Sequence, residues 1–178
     1  MNRLEIFLKK FDESCDQMSD LKFTFYILII SLTINIIASF FYIAIYGFDY
    51  SNVKTLDYSG TLLQAVFISL VLLVPYIETL IFHAIPLGLY LILKRKFEME
   101  EKWDYITGGI CGLVFGVLHG VVYNIWLKGI TFTVIGCLYS YTFFRYKKRG
   151  QKGSYGIWKI HALNNFIVFL SIASDRFF

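Results

Sequence analysis

Five stretches of the chain stay apolar long enough to cross a hydrocarbon core as helices, which takes about 20 residues. They run over 22–47, 61–93, 104–126, 129–145 and 155–174, with short polar breaks between them. The pattern predicts an all-α fold, a polytopic membrane bundle of about five transmembrane helices. Residues 1–20 carry mixed charge, and the apolar run behind them exceeds a secretory h-region and lacks a small-residue cleavage pattern. It therefore reads as a permanent anchor rather than a leader. The 61–93 run is longer than the membrane is thick at about 1.5 Å per residue, so a single helix there must tilt, protrude or kink. Pro75 and Pro86 are the expected kink sites.

Composition agrees with this class. Of 178 residues, 57% are hydrophobic and only 17% charged, and the mean hydropathy is +0.59. Such a chain is neither disordered nor an ordinary soluble enzyme. The three cysteines, Cys15, Cys111 and Cys137, form no CxxC pair and give neither a disulfide framework nor a zinc knot.

Charge sets the expected direction of the spans. Fourteen of the 17 Lys and Arg residues fall in alternate segments, leaving Lys54, Lys128 and Arg176 on the other side. By the positive-inside rule the N-terminus is cytoplasmic and the C-terminus outside, in a cell membrane crossed several times. The basic run Arg145–Gly153 is absorbed by that rule, and the net charge of +4 calls for no nucleic-acid partner. The chain divides into a cytoplasmic segment with its anchor, 1–60, and a four-helix core, 61–178.

Ionisable groups at membrane depth are costly, face the bundle interior and mark function by default. Of the 13 acidic residues only Glu78 lies well inside a span, whereas all three histidines, His83, His119 and His161, do. Taken singly, each could be a polar contact between helices. Glu78, His119 and His161 lie on three different spans. Phe115 and His119, and His161 and Asn165, are i, i+4 pairs that each share a helix face. Glycine recurs at 108, 112, 116 and 120, a small-residue stripe that lets helices approach closely and holds His119 near a neighbour.

In this order the residues resemble the CPBP family, the intramembrane CAAX proteases and the bacteriocin-processing or self-immunity proteins of the Abi group. That family's core carries EExxxR, FxxxH and HxxxN on successive helices. The counterparts here are Glu78 to His83, Phe115 to His119 and His161 to Asn165, within about residues 61–170. Thr79 replaces the second glutamate and His83 the arginine. Tyr123 stands four after His119, where some members carry asparagine, and Asn124 follows it. An ET form of the first motif is similar to that of a bacterial subgroup, and it points away from eukaryotic-type prenyl-CAAX activity.

The expected chemistry is peptide hydrolysis of a membrane-associated or hydrophobic peptide. It needs a base for water and donors for the developing oxyanion. A carboxylate shielded from bulk water is a stronger base, provided water still enters. Glu78 is the expected base. His119 orients the water and shares its proton, His161 donates to the carbonyl oxygen, and Asn165 orients His161 or joins the oxyanion site. The resemblance implies the same roles. Thr79, His83, Phe115, Tyr123 and Asn124 are expected to support. No cofactor is expected; the alternative is zinc held by Glu78, His119 and His161, although no HExxH motif accompanies them. The competing functions are a non-catalytic peptide-binding or immunity protein of the same fold and a proton-coupled transporter, against which the lack of an inverted repeat argues.

Overall fold

The computed structural model describes residues 3–47 and 62–177, which hold six continuous helices and no strand. They are α1 (Arg3–Gln17), α2 (Asp20–Tyr46), α3 (Leu63–Phe97), α4 (Lys102–Tyr123), α5 (Trp126–Lys148) and α6 (Gly153–Phe177). The loop with Lys54 lies outside the described residues. Four helices, α2, α3, α4 and α6, are long and apolar enough to cross a membrane, which makes this a multi-pass membrane protein.

The fifth expected span corrects the sequence expectation in composition rather than in path. Helix α5 forms along 23 residues but is less apolar than the four spanning helices. It nevertheless runs antiparallel to α4 over its length, with Gly108 against Ser140, Gly112 against Cys137, Gly116 against Thr133 and Gly120 against Gly129. Because α2, α4 and α6 surround it, Thr131, Ser140 and Thr142 are buried in protein rather than in lipid. A helix so enclosed does not need an apolar surface all round.

The 61–93 run does form one helix, and its prolines act through π turns. The segments Ile68–Leu73 and Leu80–Ala84 are π-helical, each ending shortly before a proline. The Val74 N–H bonds back five residues to Ser69, and the Ile85 N–H to Leu80. Pro75 and Pro86 have no N–H to give, so each π turn absorbs a missing donor without ending the helix.

Polar contacts lock the charged end. Arg145, almost buried, pairs with Asp12 and Asp16 of α1, the latter at 3.1 Å. Tyr105 and Tyr141 donate to Asp12 at 3.0 and 2.9 Å. Lys94 joins α3 to α4 through Asp104 at 2.7 Å, and Lys159 joins α6 to Asp20 of α2 at 2.9 Å. Ser19 caps α2 by accepting from the Lys22 N–H. Asn124, at φ 53°, ends α4 in a left-handed turn.

Candidate active site

Glu78 projects from α3 between the π segments, and its two oxygens face imidazoles from different helices. Oε1 lies 3.6 Å from His119 Nε2 of α4, and Oε2 lies 3.4 Å from His161 Nε2 of α6. All three side chains are largely shielded, with 23%, 14% and 7% of their surface exposed for Glu78, His119 and His161. In low dielectric, charges and dipoles at these separations act strongly on one another.

The tautomer of His119 follows from its other nitrogen. Nδ1 lies 2.8 Å from the carbonyl oxygen of Phe115, and a carbonyl only accepts, so Nδ1 carries hydrogen. In the neutral ring Nε2 is then a bare acceptor turned to Glu78. The ring is held between Phe115 and Phe132, with centroids at 4.2 and 4.3 Å, and Tyr123 stacks beyond at 6.3 Å. Lys128 sits over the Tyr123 ring at 4.0 Å.

Phe115 is the hub of the site. Fully buried, it touches the rings of His83, His119 and His161. His161 also leans on Tyr139, with centroids 5.2 Å apart. Tyr139 in turn accepts from the amide of Asn164, 3.0 Å away, and that amide also donates to Ser31 of α2 at 2.8 Å.

The remaining expected residues divide. His83 is buried beside Phe115 and Tyr139, with Nδ1 3.1 Å from Ser140 Oγ. Thr79 is buried one residue from Glu78, and its hydroxyl has no hydrogen-bond partner among the described residues. Asn165 does not bond His161. Its amide donates 2.9 Å to the carbonyl of Leu70. That carbonyl lacks a helical partner because the Val74 N–H has gone to Ser69 and Pro75 has none. Asn124 is exposed at the α4 cap and is not brought to the site.

With this geometry in view, the family model described as type II CAAX prenyl endopeptidase Rce1-like matches residues 60–167. The chain belongs to this Rce1-like family. The matched stretch holds α3, α4, α5 and most of α6, and therefore every side chain just described except Ser31. Membership in a CAAX protease family agrees with an enzyme. Neither the curated proteins nor the solved structures gave a match.

Each imidazole addresses a different carboxylate oxygen of Glu78, and no group of three or more His, Cys, Asp or Glu side chains among the described residues is arranged as an ion site. Sequence reasoning missed Phe132, Tyr139, Ser140 and Asn164. Three of these carry no signal in an apolar run, but Asn164 sits three residues after His161 and shares its face as fully as Asn165 does.

Proposed function

We propose that the protein is an intramembrane endopeptidase that hydrolyses a bond in a hydrophobic or membrane-bound peptide, with water activated by Glu78 and His119. The observation that carries this is the Glu78 carboxylate between two imidazoles, one of which has its lone pair directed at it. A single water beside Glu78 Oε1 and His119 Nε2, which are 3.6 Å apart, reaches both at hydrogen-bond length, about 2.8 Å.

On this reading Glu78 takes the proton as the water oxygen attacks the peptide carbonyl. His119 aligns that water through its fixed acceptor. His161, whose Nε2 lies 3.4 Å from Glu78 Oε2, carries hydrogen on that nitrogen in this scheme and donates to the carbonyl oxygen as negative charge develops there. Glu78 then passes its proton to the leaving amine as the C–N bond breaks. Asn165 acts indirectly, by holding the π turn that aims Glu78. No metal enters a step. The basic end, with α1, Lys94 and Arg145, faces the cytoplasm under the positive-inside rule. Bacteriocin maturation or self-immunity is the setting in which such a substrate is processed.

The test is proteolysis by the purified full-length chain in detergent against hydrophobic peptides. Glu78→Gln must abolish cleavage while the protein still folds. A variant that keeps its biological effect without the carboxylate makes the protein a binding member of the fold instead.

A further inference from the structure

A cleft of about 560 Å³ separates α2 from α6 and reaches the site, with His161, Phe115 and Tyr139 in its floor. Both walls are membrane spans, so its mouth opens to lipid. Another depression, about 460 Å³ at the charged end beside Asp12 and Arg145, holds none of the site residues.

Three properties define what the lipid-facing cleft accepts. First, no Asp, Glu, Lys or Arg lines it, so a charged segment entering there would lie unpaired in low dielectric. Second, its apolar walls, such as Ile36 and Phe40 on α2 and Val168 on α6, suit aliphatic side chains. Third, carboxamides interrupt those walls. Asn35 lies on α2 and Asn164 on α6, and the Asn164 oxygen is buried without a hydrogen-bond partner among the described residues. A buried carboxamide left half-satisfied costs about 1–3 kcal/mol. A peptide backbone can complement it, whereas a hydrocarbon chain cannot.

We infer that an uncharged, apolar stretch of a membrane-spanning peptide enters sideways through the α2–α6 cleft in extended form, its main-chain amides taken by Asn35 and Asn164. This rests on the peptidase reading and gives it a substrate class and a route. An extended chain in lipid must have its amides satisfied by protein, and the carboxamides meet that need on the way to His161. Helix α2 lies outside the family-matched 60–167, so selection of substrate resides partly in a helix added to the matched core.

The experiment uses the full-length Glu78→Gln protein in vesicles, with a benzophenone amino acid at Ile36, in the cleft, or at Ile37, exposed but not among its lining residues. The probe is a biotinylated Leu/Ala peptide of about 20 residues with polar ends. Adducts at position 36 should exceed those at 37 about tenfold, and Asn35→Leu should weaken peptide binding about fivefold, the worth of one hydrogen bond. Equal labelling at the two positions, or phospholipid adducts at 36 that saturating peptide leaves undiminished, overturns the inference. If the peptide labels position 36 but the unmutated enzyme cleaves nothing, the cleft stands and the peptidase reading falls. Cleavage without labelling at 36 means the reverse.

Discussion

His119 gives its Nδ1 hydrogen to the carbonyl of Phe115, one helical turn behind it, at 2.8 Å. The bond joins two residues of the FxxxH motif through backbone rather than through the phenyl ring. It leaves Nε2 free to accept and fixes the ring plane against Phe115 and Phe132. Glu78 stands between that acceptor and the imidazole of His161.

Removing the base should be the most damaging change that preserves size. Glu78→Gln is expected to lower kcat by about 10²–10⁴-fold, the usual worth of general base catalysis. His119→Ala should lose a comparable amount. Single-turnover cleavage in detergent measures both, with circular dichroism to establish that each variant is folded.

Chelation is expected to leave the rate unchanged. Cleavage assays with EDTA and with added zinc check this. A loss that zinc restores would replace the metal-free scheme.

Asn165 should behave as a structural residue. Asn165→Leu strips the Leu70 carbonyl of its donor and is expected to cost about 1–3 kcal/mol. The expected signature is a lowered thermal midpoint, with a smaller fall in kcat than His161→Ala produces. A variant as stable as the original but without activity would return Asn165 to the oxyanion site.

The glycine stripe sets the distance between α4 and α5. A methyl at Gly116 would meet the side chain and backbone of Thr133 and the carbonyl of Gly129. Gly116→Ala is therefore expected to destabilise by about 1–3 kcal/mol through overpacking, seen as earlier thermal unfolding. Gly109→Ala, where an added methyl meets nothing within 4 Å, is the control and should unfold like the original.

At the charged end, Arg145→Ala should release α1. It leaves Asp12 and Asp16 facing each other without their shared cation, at about 2 kcal/mol once partial exposure is discounted. Limited proteolysis within residues 3–17 should accelerate.

Much of this arrangement was legible from residue types alone. Ionisable groups are rare enough in apolar spans that Glu78, His119 and His161 stood out, and their partnership needed only the expectation that such groups turn inward. The glycine spacing announced a close helix contact along this face, although not that α5 would be the partner. What periodicity could not supply was rotation. After His161 both the third and the fourth residue lie on its face, and only packing decided that Asn164 meets Tyr139 while Asn165 turns to α3. Phe132 and Tyr139 are two aromatics among many, and nothing local distinguishes those against an imidazole from those against lipid. The enclosure of α5 was likewise hidden, because the run 129–145 reads as one more apolar span whether its neighbours are lipid or protein.

The π turns before Pro75 and Pro86 each store one residue more than an α-helix would hold. Excising a single residue from 68–73 would let that turn tighten into ordinary α geometry, and everything beyond it would keep its bearing, because the wider turn already absorbs the extra residue. The same excision in an α-helical turn, with no stored residue to give up, would swing Glu78 by about 100° and away from both imidazoles although no side chain of the trio had changed. In this helix the π turns are therefore the places where homologous chains should differ in length by one residue, and the α-helical turns beside Glu78 the places where they should not.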